Sequence, residues 1–169
     1  MGDPKKQKKK YETPRHPWRR AQMEEELKLV GAYGLRNKRE LWGYRTEISR
    51  IRGIARSLLA KTEEERAETE KELLRSLTRL GVLSEGATLD DVLDLNVTKL
   101  LDRRLQTIVA RSGMARSMHH ARQLITHGHV SISGRSVSIP GYMVRSDDQL
   151  EMPPQSHEPE PDQARRKTR

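Results

Sequence analysis

The strongest constraint on this chain lies between residues 98 and 152, where the hydrophobic period changes from helical to alternating. Leu101, Leu105 and Ile108 recur at helical spacing, which predicts a helix from about Thr98 to Arg111. Arg104, Thr107 and Arg111 fall on a second stripe of that helix. Ser112 and Gly113 interrupt it. A further helix is expected from Ser117 to His127, with Ser117 as its N-cap and with Met118, Ala121, Leu124 and Ile125 on the apolar side. Arg116, His119, Gln123 and His127 project from the opposite side, Arg122 sits at the edge, and Gly128 ends the helix. Val130 and Ile132 then alternate with Ser131 and Ser133, as in a half-buried strand. Gly134 and Arg135 supply a tight turn, Val137 and Ile139 a return strand, and Asp148 to Met152 one more short strand. The expected unit is two helices on a small antiparallel sheet.

Upstream the text reads helical. Helices are predicted over 18–33, 44–60 and 62–80, with a short one after Thr88. Met23, Leu27 and Val30 form the apolar face of the first, and Glu24 with Lys28 an i,i+4 pair. Residues 35–43 read as a basic connector. Ile48, Ile51, Ala55 and Leu58 are the stripe of the second helix, with Arg45, Arg52 and Arg56 elsewhere. The third starts on a Thr62–Glu65 capping box, is acidic in its first turns and carries Leu73, Leu74, Leu77 and Leu80 on one side. Thr88 with Asp91 repeats the capping pattern, and Gly34 and Gly81 are expected helix ends. The fold class is therefore α+β. It comprises an extended arm (1–20), a helical N-terminal domain (21–97), the compact module (98–152) and a disordered tail (153–169).

Charge decides between functions. The net charge is +9 with no Phe and no Cys, which suits a polyanion partner and excludes disulfides and thiolate chemistry. Lys and Arg outnumber Asp and Glu by 16 to 7 in residues 1–60 and by 7 to 4 in 102–152, whereas acids lead by 10 to 6 in 61–101. A basic face opposed to a solvated acidic one produces that pattern. No run has the length of about 18 apolar residues that a membrane span needs, and no export signal is read at the start. The cytoplasm is the expected compartment.

The candidate RNA-binding residues follow from these faces. In the arm, Lys8, Lys9 and Lys10 supply point charges. Arg15, His16, Trp18, Arg19 and Arg20 mix guanidinium groups with an aromatic plane, which suits phosphates and exposed bases. In the module, the loop from Arg111 to Arg116 leads into a helix N-terminus, where free N–H groups and the helix dipole favour a phosphate. Arg104, Arg111, Arg116 and Arg122 offer bidentate donors around it. Ser112, Ser117, His119, Gln123 and His127 suit phosphate or 2′-hydroxyl groups, and Arg135 lies on the hairpin turn.

Four stretches carry a resemblance: RRL at 103–105, ARS-x-x-x-ARQL at 115–124, HGHVSISGR at 127–135 and V-x-IPGY at 137–142. Together they resemble the S-four RNA-binding motif. That motif is also found on pseudouridine synthases, tyrosyl-tRNA synthetases and a small heat-shock RNA-binding protein. The opening MGDPKK-x-KKYETPRHPW with the downstream ELW is similar to the archaeal and eukaryotic form of the S-four family of small-subunit ribosomal proteins. Membership implies a structural constituent of the small subunit that binds 16S ribosomal RNA directly. It also implies nucleation of the subunit body, a contribution to translational accuracy and contacts with neighbouring ribosomal proteins. Some members lie where messenger RNA enters. Many bacterial relatives hold zinc through cysteines near the N-terminus; with no Cys here, that metal is not carried over.

Three other functions compete. An enzyme of the synthetase or synthase kind needs a large further domain, and the chain has neither a GxGxxG nor a GxxxxGK loop. Asp102, Asp147 and Asp148 form no general acid/base pair pattern, so no catalysis and no cofactor is expected. His119, His120, His127 and His129 lie close in sequence, but no carboxylate is near and the first two point apart, so they are read as RNA-facing or exposed rather than as metal ligands. A stand-alone RNA chaperone would use the same residues and is separated only by whether the protein travels with the small subunit.

Overall fold

The computed structural model describes residues 9–151. The order of elements is α1 (Arg20–Ala32), α2 (Lys38–Leu59), α3 (Glu63–Arg79), α4 (Leu89–Leu93), α5 (Val97–Asp102), α6 (Leu105–Arg111), α7 (Met118–Thr126), then β1 (Ser131–Ile132), β2 (Arg135–Ser136) and β3 (Leu150–Glu151). The mostly helical part and the small antiparallel sheet make the α+β class that the two periodicities predict.

Helix α1 rolls differently from its predicted face. Leu27 is 56% exposed, whereas Glu26 is 2% exposed. The inward stripe runs through Met23, Glu26, Val30 and Tyr33. The reason is electrostatic. Glu26 Oε1 accepts from Arg45 Nη1 at 2.7 Å and Trp42 Nε1 at 3.1 Å, and Lys38 Nζ stands 3.4 Å from Oε2. Burial disfavours this carboxylate, but the hydrogen bonds from Trp42 and Gln22 and the Arg45 charge outweigh it and hold the group below its ordinary range. Glu24 pairs back to Arg20 at 2.9 Å, and no ion pair joins it to Lys28.

Helix α2 starts six residues earlier than predicted, so the stretch read as a connector is largely its first turns. Asn37 caps it by accepting from the Glu40 N–H at 3.1 Å. Its predicted stripe is buried, joined by Leu41. Helix α3 begins at its predicted place without a side-chain bond from Thr62; the capping box predicted at Thr88 does form, its N–H donating to Asp91 at 2.8 Å.

Three apolar clusters hold the elements. One joins α2, α3 and α4 through Ile48, Ile51, Leu58, Leu77 and Val92. A second gathers Tyr33, Leu35, Leu41 and Leu101. The third belongs to α6, α7 and the sheet and includes Leu105, Val109, Ile125, Val130 and Ile132. The core therefore changes between Leu101 and Leu105. The continuous helix expected over this stretch is broken there into α5 and α6, with Arg104 bridged antiparallel to Met143. In the sheet, β1 is central, pairing Ile132 with Arg135 and with Leu150. Ser133 (φ 48°) and Gly134 (φ 77°) make the two-residue turn, one position earlier than predicted. The return strand β2 holds Arg135 and Ser136 and stops before Val137 and Ile139, the residues predicted for it, and Ile139 is 62% exposed.

Candidate nucleic-acid interface

The α6–α7 junction brings together Arg111, Ser112, Arg116 and Ser117, all exposed. Gly113, at φ 78° with open space around it, allows the reversal between the two helices. Ser117 Oγ accepts from the His120 N–H at 3.2 Å and so starts α7; Ser112 Oγ donates back to the Val109 carbonyl at 3.1 Å. The cap satisfies one of the several N–H groups a helix start leaves unpaired, and the rest of that end keeps its positive potential. His119, Gln123 and His127 lie along the exposed side of α7, and Arg135 is exposed on the hairpin.

Arg111 is held, not loose. Its Nη2 lies 2.7 Å from Asp102 Oδ1, and its guanidinium lies 5.8 Å from the Tyr33 ring centroid. The Tyr33 hydroxyl donates to the same Asp102 oxygen at 2.8 Å. Burial, then the Asp102 carboxylate, pushes the Tyr33 hydroxyl above its usual pKa, while Asp102 raises that of Arg111. Both stay protonated at neutral pH. The Arg111 side chain is still 55% exposed, with donors left for a ligand. Beside it, Arg122 Nη1 donates to the Gly34 carbonyl at 3.5 Å and Nη2 lies 3.6 Å from Glu40. The Tyr33–Gly34 turn at the end of α1 thus touches both arginines.

Arg104 is the correction to the predicted set. It is 1% exposed, forms an ion pair with Glu40 at 2.8 Å and donates from Nε to the Pro140 carbonyl at 3.2 Å. The helix break turns it and the equally enclosed Thr107 inward, so Arg104 fastens the module to α2 and presents nothing to a ligand. Arg103 does similar work, donating to the carbonyls of Leu80 and Val144 at 2.9 and 3.0 Å. Gln106, fully buried, donates to the Gly34 and Met118 carbonyls. Tyr33, Glu40, Asp102 and Gln106 were invisible as site-forming residues because each has a partner far along the chain, 69 positions apart for Tyr33 and Asp102 and 72 for Gln106 and Gly34.

The arm lies along α2. Lys9 Nζ sits 4.7 Å from the Tyr11 ring centroid, Tyr11 packs on Trp42 at 5.9 Å, and the Glu12 N–H donates to Thr46 Oγ1 at 2.9 Å. Lys10, Arg15, His16, Arg19 and Arg20 are exposed, and Trp18 is 87% exposed. Lys8 lies outside the described residues. Among the described residues no cluster of three metal-ligating side chains forms, and no helix is long and apolar enough to cross a membrane.

Two family sequence models match the chain: the ribosomal protein S4/S9 N-terminal domain over residues 5–102 and the S4 domain over 103–150. The small ribosomal subunit protein uS4 of Ignicoccus hospitalis is 54% identical over 149 residues, covering 88% of this chain and 90% of that one. The same protein of Hyperthermus butylicus is 55% identical, covering 88% and 85%. That of Thermoplasma acidophilum is 51% identical over 152 residues, covering 88% and 76%. The matches run through the arm, the helical part and the module alike, and the chain belongs to the S4 family of small-subunit ribosomal proteins.

Proposed function

We propose that this chain is a structural constituent of the small ribosomal subunit and binds its 16S ribosomal RNA directly. The observation that carries the reading is the exposed α6–α7 junction, where Arg111 and Arg116 flank the start of α7, together with an exposed basic arm that includes Trp18. Guanidinium groups and a helix N-terminus together suit backbone phosphates, and an exposed indole suits an unstacked base. The site residues are Lys8, Lys9, Lys10, Arg15, His16, Trp18, Arg19 and Arg20 in the arm. In the module they are Arg111, Ser112, Arg116, Ser117, His119, Arg122, Gln123, His127 and Arg135. Neighbouring ribosomal proteins are its other partners, and its role is structural.

Binding of the full chain to small-subunit ribosomal RNA, measured across a salt series against an unrelated structured RNA, tests this. Selective binding with a steep salt slope is the expected result. Equal affinity for both RNAs would favour the stand-alone chaperone. Membership of the family also implies finer roles: nucleation of the subunit body, a contribution to decoding accuracy and contact with messenger RNA where it enters. Reconstitution of subunits and a misreading assay with Arg111→Ala and Arg116→Ala check them.

A further inference from the structure

We propose that Asp102 is a positioning residue for RNA binding. A carboxylate on a phosphate-binding face ordinarily lowers affinity. Here it sets the geometry of Arg111, and its net effect on binding is favourable. The inference rests on the RNA-binding reading above and adds a residue whose charge has the wrong sign for it.

The geometry points one way. Asp102 Oδ1 receives two donors, the Arg111 Nη2 at 2.7 Å and the Tyr33 hydroxyl at 2.8 Å. Those donors come from different elements: Arg111 closes α6, and Tyr33 follows the last turn of α1. The Tyr33 ring then stands 5.8 Å from the guanidinium carbon. Arg111 is thereby restrained by a carboxylate and an aromatic ring. A free arginine on a helix end samples many rotamers and loses that freedom on binding phosphate. Asp102 and Tyr33 have ordered the side chain beforehand. The contact to Asp102 uses one guanidinium nitrogen, and the side chain remains 55% exposed. A guanidinium has five N–H donors, so donors remain for a phosphate. The alternative, that Asp102 competes with RNA for Arg111, predicts the opposite sign.

That difference in sign is the test. Affinity for small-subunit ribosomal RNA is measured for the full chain, Asp102→Asn, Arg111→Ala and the double variant, with unfolding followed in parallel. Removing a negative charge beside RNA strengthens binding by simple Coulomb attraction. Under the proposal Asp102→Asn instead weakens binding about threefold to tenfold, the cost of ordering one long side chain. It causes no further loss in the Arg111→Ala background, since the effect runs through Arg111. Unchanged or raised affinity of Asp102→Asn overturns the proposal, as does an equal loss in both backgrounds. If Asp102→Asn does not fold, Tyr33→Phe keeps the ring and removes one bond to Asp102. Its expected loss is about twofold, again only while Arg111 is present, and no loss counts against the proposal. Failure of the unaltered chain to select ribosomal RNA would sink the RNA reading itself; intact selection with no effect at Asp102 would sink only this inference.

Discussion

At the scale of the residue, arginines that look alike in sequence divide into two physical kinds. Arg104 is enclosed and paired with Glu40, while Arg111 and Arg116 are exposed at the α6–α7 junction. Removing a buried member of an ion pair leaves its partner uncompensated and typically costs about 3–5 kcal/mol. Arg104→Ala is therefore expected to lose about 3 kcal/mol of folding stability in urea titrations, because Glu40 keeps Arg122 nearby. Arg111→Ala and Arg116→Ala should each weaken RNA binding by about 1–3 kcal/mol while leaving the unfolding midpoint within a small margin. Comparable stability losses for all three would contradict this division. The helical period could place Arg104 and Arg111 on one stripe but could not show that the helix stops between them. That stop is made by contacts with Pro140, Tyr142 and Met143, nearly forty positions later in the chain.

At the scale of the element, two features set how the helices meet. Gly34 ends α1 with φ +57°, and the Leu35 N–H closes on the Val30 carbonyl at 3.0 Å. A Cβ there would stand 2.7 Å from the Met118 Cβ and 2.9 Å from Gln106 Nε2. Gly34→Ala thus combines left-handed strain with a clash across the α1–α7 contact, and a loss of about 2–4 kcal/mol is expected. Gly113→Ala meets open space and should lose only about 1 kcal/mol. Thermal or urea unfolding of the pair checks the ranking. Glu26 joins α1 to α2, and its folded-state pKa is depressed. Its stabilisation is fully present above the unfolded carboxyl pKa and is lost as pH falls through the folded value. Glu26→Gln should cost about 2 kcal/mol at neutral pH, and the gap from the parent chain should close below roughly pH 4. A gap independent of pH would show that shape, not charge, carries the contribution.

At the scale of the whole molecule, the helical part and the small sheet module are fastened by polar ties across their border. Glu40 reaches Arg104 and Arg122, Gly34 accepts from Gln106 and Arg122, and Asp102 gathers Tyr33 and Arg111. Each tie has one end in α2, α5 or the turn between α1 and α2 and the other in α6, α7 or the loop between α5 and α6, except where Tyr33 meets Asp102 within the helical part. Separate cores joined by such ties should unfold together, so calorimetry is expected to show a single transition. Two resolved transitions, with the sheet module melting alone, would mean the ties are too weak to couple the cores. Coupling of this kind also matters for binding, because the arginines of the module are oriented by residues of the helical part.

Sequence alone determined the inventory. Periodicity located the helices to within a few residues in most cases, glycines marked the ends of α1, α3 and α7, and the buried stripe of α2 was legible as written. Those features depend on neighbours three or four positions away, which the local text contains. The exposed basic residues of the arm and of α7 were legible for the same reason, since solvation needs no partner. Tertiary structure decided what the pattern could not hold. It rolled α1 so that Glu26 lies inside and Leu27 outside, lengthened α2 through its basic start, and split the long helix at Arg103 and Arg104. In each case a charge found its opposite or its carbonyl far along the chain, and desolvation made that pairing decisive. A linear pattern records which side chains are charged; only the packed chain determines which of those charges have been satisfied internally and which remain to meet RNA.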